Sequence, residues 1–193
     1  DELLDVMATH ENICNYFDIP LQHSDSEILK SLNRSGSRAE YEQMVARIRQ
    51  RIPDITLRTT LIVGYPGETE EQFEDLCDFV EETEFDYVGI FAYSPEDGTP
   101  AAELPNQIDE DTKQARLQEL RDIADSVSSH VVSQRIGRSM DVLVLGCEDD
   151  GQLYGRAQCQ APDIDGVTYL ENGTVGEVQT VTVNDTLLYE MEA

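Results

Sequence analysis

Lysine is nearly missing from this chain. Only two of its 13 basic residues are Lys, and 40 acids oppose them for a net charge of −27. Bases are wholly absent from residues 59–112, which hold 16 acids, and residues 139–193 hold 11 acids with one base, Arg156. The other bases gather early: residues 1–58 carry seven, five of them between Arg34 and Arg51. Such a chain repels phosphate backbones and attracts basic partners. An acid-rich, Lys-poor composition also suits a salt-tolerant host. Cysteine pairs are missing too. Cys14, Cys77, Cys147 and Cys159 stand too far apart for a CxxC metal site or an iron–sulfur run. Their wide spacing also argues against a disulfide scaffold, so they read as reduced thiols of a cytoplasmic protein. No apolar run approaches a membrane span, and residues 1–10, DELLDVMATH, lack the basic start and apolar core of a signal peptide. No low-complexity stretch or short repeat is present. The chain opens without Met inside a helical pattern of Leu3, Leu4 and Met7, which predicts a piece of something longer.

What is there begins with a strand-loop-helix unit at residues 56–83, TLRTTLIVGYPGETEEQFEDLCDFVEET. A β-rich run ends at Val63, a Gly-Tyr-Pro-Gly loop follows, and Thr69 opens an amphipathic helix with Phe73, Leu76, Cys77 and Val80 inward. Similar units flank it. YFDIPLQ at 16–22 reads as a buried strand, Ser24 with Glu27 as a capping box for a short helix ending near Gly36, and Ser37 with Glu40 as a cap for the next helix. Pro53 ends that second helix. YVGIFAY at 87–93 is a third strand. Strands alternating with helices, each strand ending in a polar loop, make a parallel βαβ pattern and an α/β fold. A Pro-containing linker at 99–108 leads to a long helix from about Asp111 to Gln134. Its predicted stripe is Leu117, Leu120, Ala124, Val127 and Val131, with Gly137 as terminator. Beyond it, MDVLVLG, LYGRAQ, VTYL and VQTVTVND predict four or five short strands, with Asp165-Gly166 and Asn172-Gly173 as turns. That is the pattern of a small all-β barrel of the OB type.

Ligands of α/β folds sit at the C-terminal ends of the strands, so candidate site residues are sought there. At Gly64 and Gly67 a backbone can approach a ligand closely. Amides at the start of the following helix can hold a carboxylate or a hydroxyl, although an ordinary turn has the same sequence. No Gly-Lys-Ser/Thr follows and Glu68 disfavours phosphate, so this is not a P-loop. Gln22 and His23 sit where the first strand leaves the core; a lone loop histidine is ordinarily solvated. Arg58 lies inside a strand, where charge is rarely free. Facing inward it is a carboxylate clamp; facing outward it pairs with one of the many acids. The backbone at Tyr93-Ser94-Pro95 can meet a nucleobase edge, or is a plain turn.

Three segments in order, YFDIPLQHSDSEILKSLNRSGSR, LRTTLIVGYPGETEEQFEDLCDFV and DYVGIFAYSPEDGTPAAELPNQI, resemble the radical S-adenosylmethionine methylthiotransferases. The closing segment resembles the TRAM domain that follows their catalytic domain, so the resemblance covers nearly the whole chain. It implies the second half of a partial (β/α) barrel at residues 1–108, a connecting long helix at 109–137 and a TRAM-like β-barrel at 138–193. Two bacterial branches exist. One modifies an adenosine of tRNA and usually has Gln-Ser-Gly-Ser where this chain has Gln22-His23-Ser24-Asp25. The other modifies an aspartate of small-subunit ribosomal protein twelve, and Ala161-Pro162-Asp163-Ile164-Asp165-Gly166 resembles that branch. The acidic closing segment suits a basic ribosomal protein better than a nucleic acid.

The resemblance implies S-adenosylmethionine as cofactor, with Gln22, Arg58, Gly64 and Tyr93 on its side of the site. It also implies iron–sulfur clusters in the full-length enzyme. Their cysteine ligands, a CxxxCxxC motif and three more cysteines, are absent from this chain, and the chain alone is expected to be inactive. A docking module that binds a basic protein is the non-catalytic alternative. A half barrel would also expose the edge of its first strand, which predicts pairing with a second copy.

Overall fold

The computed structural model describes residues Asp1–Ala193. Helix α1 (Glu2–Thr9) precedes strand β1 (Tyr16–Gln22), short helix α2 (Ser26–Ser31) and helix α3 (Arg38–Arg51). Strand β2 (Thr56–Val63), helix α4 (Glu70–Thr83), strand β3 (Tyr87–Ala92) and long helix α5 (Glu110–Ser133) complete an α/β half. Its three strands run parallel in the order β1-β2-β3, with Asp18 beside Arg58 and Arg58 beside Tyr87.

Local chemistry sets the helix starts. The Ser37 side chain accepts from Glu40 N at the head of α3. Thr69 and Gln72 form the capping box that opens α4. For α2 the expected cap is corrected by one residue: Asp25 accepts from Glu27 N and Ile28 N, both at 3.0 Å, and Ser24 is drawn off to Asp75 at 3.1 Å. The helix also stops earlier than Gly36, because Asn33 takes a left-handed φ of 57°.

Alternation along β2 sorts its side chains onto two faces. Leu57, Leu61 and Val63 are buried in the main core with Val45, Ile48, Phe73, Leu76, Phe79, Val80, Leu120 and Ala124, so the helices cover this outer face. The inner face carries Asp18, Arg58, Thr60, Ile62, Gly89 and Phe91, and Phe91 is 59% exposed. The buried face of α5 differs from the predicted stripe. It runs Lys113, Arg116, Leu120, Ala124, Ser128 and Val132, while Leu117, Val127 and Val131 lie half-buried at its margin. Two bases take core positions because they have buried partners at the strand ends, described below.

The C-terminal half is a curled sheet of six strands: β4 (Ser139–Cys147), β5 (Leu153–Ala157), β6 (Thr168–Leu170), β7 (Val178–Thr182), β8 (Asp185–Leu187) and β9 (Glu190–Glu192). Their order is β7-β4-β5-β6-β9-β8. The run VQTVTVND divides between β7 and β8 because Val183 turns inward, fully buried, and Val183 N bonds Arg138 O at 3.0 Å. Gly137 ends the linking region with φ 81° and donates its amide to Val183 O at 2.8 Å.

The halves share a core. Tyr87 of β3 and Val132 of α5 are buried in one cluster with Val142, Val144, Leu170, Val183 and Met191. Tyrosines line this junction: Tyr16 OH donates to Asp165 at 2.5 Å, Tyr87 OH accepts from Arg135 at 3.1 Å, and Tyr189 OH donates to Asp125.

Burial is the first cause that pushes the phenols of Tyr16, Tyr87 and Tyr189 above their ordinary range; carboxylate acceptors add to it for Tyr16 and Tyr189. The folded state therefore keeps protons that an unfolded chain releases above about pH 10, and stability must fall as pH climbs past that value. In an alkaline titration, the tyrosinate absorbance of these three should appear in the same step that abolishes helical circular dichroism. Full ionisation with the helical signal intact would contradict the packing.

Candidate functional site

The three parallel strands deliver Gln22, Gly64 and Tyr93 to one edge. Gln22 ends β1 after an irregularity in its pairing with β2, and its backbone is left-handed, φ 73°. Gly64 follows β2 at φ 72°, and a Cβ there would come within 2.3 Å of Lys113 Cγ, so only glycine fits. Tyr93 N continues the ladder by donating to Val63 O at 2.9 Å. Arg58 does not join them. It stands at the third position of β2, near the strand starts, on the inner face.

Beneath this edge lies a buried carboxylate. Glu68 accepts from Gly64 N at 2.7 Å and from Arg116 Nη1 at 2.7 Å through Oε2, and contacts His23 Nε2 at 3.1 Å through Oε1. The His23 Nδ1 accepts from Asp25 N at 2.9 Å, which leaves the proton on Nε2, where it donates to Glu68. The side chains of His23 and Glu68 are both 0% exposed. A histidine that the sequence reads as solvated is therefore a core group. Arg116 also donates to Glu68 O at 3.2 Å and to Glu70 at 2.8 Å, and it lies over the Phe73 ring. One carboxylate thus ties the ends of β1 and β2 to α5.

This pairing settles what the Gly-Tyr-Pro-Gly loop holds. One of its amides, Gly64 N, binds a carboxylate, and that carboxylate is the chain's own Glu68. Gly67 N is taken by Asn106 O at 3.0 Å, Glu68 N by Tyr65 O at 2.9 Å and Thr69 N by Gln72 at 2.9 Å. The loop is a closed brace, with these amides taken by acceptors of the chain itself.

Tyr93 offers more. Its carbonyl accepts from Lys113 Nζ at 3.2 Å, its ring meets Tyr65 edge-on at 5.2 Å, and its buried hydroxyl has no hydrogen-bond partner within the chain. Burial, then the neighbouring Tyr65, pushes that phenol up. Arg116 and Lys113 were not singled out from sequence. The readable signal was Arg116 at four-residue spacing from Leu120 and Ala124, a charge in line with a core stripe.

Glu68→Gln leaves Arg116 buried without its main counter-charge and should cost on the order of 3 kcal/mol or more. His23→Gln removes one hydrogen bond and should cost about 1 kcal/mol. Urea unfolding midpoints measure both. Equal midpoints for Glu68→Gln and the parent would rule out the brace.

Comparison with known proteins matches this architecture at both ends. Residues 1–80 match the radical SAM superfamily, and residues 136–193 match the TRAM domain. Curated relatives named ribosomal protein uS12 methylthiotransferase RimO align along the chain. The one from Alkaliphilus oremlandii is 46% identical over 90% of this chain and 40% of its own length. Those from Clostridioides difficile and Syntrophotalea carbinolica are 43% and 44% identical over 99% of this chain, covering 44% and 43% of their own lengths. The chain spans less than half the length of the curated relatives it matches. Among solved structures, the radical SAM enzyme coproporphyrinogen III oxidase (HemN) from Escherichia coli superposes with a TM-score of 0.54 at 18% identity. That superposition covers 66% of this chain and 30% of the oxidase, and it shows a common fold. Residues 1–80 are thus similar to the radical SAM superfamily and residues 136–193 to the TRAM domain, and the chain aligns along its length with part of the uS12 methylthiotransferases.

Proposed function

We propose that this chain is the part of a uS12 methylthiotransferase that walls the S-adenosylmethionine site and carries the docking barrel. The whole enzyme would place a methylthio group on the β-carbon of an aspartate in that ribosomal protein. The observation that carries the reading is the alignment of 40–46% identity to uS12 methylthiotransferases over 90–100% of the chain. In this reading residues 1–108 form the barrel half, 109–137 the connecting helix and 138–193 the docking barrel.

The cofactors divide on the residues present. For S-adenosylmethionine the strand ends fit: Tyr93 presents a hydroxyl with no partner, and Gln22 a half-buried side chain at the same edge. Arg58, deeper on the inner face, is the fourth residue proposed toward that side. The cofactor would supply the radical that abstracts hydrogen from an unactivated C–H bond, while Gln22 and Tyr93 bind and orient it. For an iron–sulfur cluster the residues do not fit. All four cysteines are free, and no three His, Cys, Asp or Glu side chains gather where a metal ion could be held.

Charge supports a basic protein partner. Glu148, Asp149, Asp150, Glu171 and Glu192 surround one groove of the C-terminal sheet, a surface that attracts cations and repels phosphate. This disfavours tRNA as the object of the docking barrel. Free thiols suit a cytoplasmic setting, and no helix is long and apolar enough to cross a membrane.

The reading is tested by exchanging this sequence for the matching stretch of a relative's gene and weighing uS12 from the cells. Gain of one methylthio group on an aspartate supports it, and Tyr93→Ala should lower that gain at least tenfold. Modified tRNA adenosine with unmodified uS12 would overturn it. The free edge of β1, which pairs only with β2, is also proposed to bring two copies of the isolated chain together. Light scattering should show dimers at high concentration, and a monodisperse monomer would refute this.

A further inference from the structure

Arg58 clamps a carboxylate, and that carboxylate comes from the other half of the chain. Its Nε lies 3.4 Å from Asp165 Oδ1, across the junction, and its Nη1 donates to Asp18 at 3.0 Å and Thr60 at 3.3 Å. Asp165 belongs to the segment between β5 and β6, and its side chain is 0% exposed. Its Oδ2 accepts from Tyr16 OH at 2.5 Å and from Ala161 N at 2.8 Å. Its Oδ1 accepts no hydrogen bond, so Arg58 balances that oxygen by charge alone. Burial pushes this carboxyl up, while the Tyr16 hydrogen bond opposes the shift. The path of Arg58 is prepared. It crosses β3 at Gly89, where a Cβ would come within 3.0 Å of Nη2.

Exposure on the inner face follows the same geometry. At the strand starts Thr56 and Tyr87 are each 2% exposed, while Phe91 near the strand ends is 59% exposed. The C-terminal half thus covers the lower end of the inner face and leaves the upper end open. The apolar cluster across the junction supplies adhesion without direction. The ion pair adds position, because the desolvation of the buried Asp165 carboxylate is offset only while the Arg58 guanidinium stays beside it.

We propose that Arg58 and Asp165 form a charged latch that fixes the orientation of the C-terminal β-barrel and seals the lower end of the inner face of the parallel sheet. Arg58 and Asp165 are then positioning residues. The latch stands on the geometry of the junction and does not depend on which substrate the whole enzyme takes.

The chain carries its own reporters. Cys14, before β1, and Cys147, at the end of β4, are exposed, while Cys77 is buried and its thiol is pushed up to about 12 by that burial. With Cys159→Ser throughout, spin labels on Cys14 and Cys147 of the 193-residue chain report the distance between the halves. The parent should give one narrow distance distribution. Arg58→Met and Asp165→Asn should broaden it at least twofold while the far-ultraviolet circular dichroism stays unchanged. Arg58→Lys, which keeps the cation, and Asp18→Asn, which removes the other partner, should keep it narrow. Should Asp165→Asn fail to fold, Gly89→Val displaces the guanidinium with both charges retained and must broaden the distribution as well. Unchanged widths in Arg58→Met and in Asp165→Asn or its Gly89→Val substitute overturn the latch, as does equal broadening by Asp18→Asn.

Discussion

The fold of the α/β half depends on keeping one carboxylate, Glu68, satisfied away from water. A buried carboxylate is tolerable only with donors on all sides. Glu68 finds them in His23 from the end of β1, Gly64 from the end of β2 and Arg116 from α5. Each donor sits on a different element, so the cost of burying the charge is offset only when all of them are in register. The apolar core behind the sheet could tolerate small slips of a helix. This polar cluster could not, and it thereby sets where the strand ends lie.

The periodic elements were legible in the sequence because their physics is local. Ser37 with Glu40 and Thr69 with Gln72 cap helices through contacts three residues apart, and the alternation in TLRTTLIV reports its two faces directly. What stayed hidden depends on distant partners. His23 looks like any loop histidine until Glu68, 45 residues on, is brought beneath it. The buried face of α5 departs from the predicted stripe because Lys113 and Arg116 find partners on the loops after β2 and β3, which spacing along the helix does not show. The short strands β8 and β9, three residues each, are too brief for alternation to show. The four residues assigned to the cofactor side from resemblance divide in space, three at the strand ends and Arg58 toward the strand starts.

The two ends of the parallel sheet are therefore closed by different means. At the strand ends the loops brace one another around Glu68 and leave Tyr93 with an unsatisfied hydroxyl. At the strand starts the second half of the chain packs through tyrosines, with Arg135 joining Asp86, Tyr87 and Thr56 in one buried group. A ligand entering between them would meet a polar rim, an apolar wall of Ile62 and Phe91, and a charged base.

The placement of the bases has a wider effect. Lys113, Arg116 and Arg135 are buried, Arg58 is nearly so, Arg38 is shared among three acids, and Arg49 is spent on the carbonyls of Thr83 and Glu84. Folding buries these cations together with the acids Glu68, Asp86 and Asp165, so the exterior keeps the whole net charge of −27. In dilute buffer such a shell pushes against itself, and dissolved electrolyte relieves the strain by shortening the reach of each charge. The ionic strength of its surroundings is thus part of what holds this molecule compact.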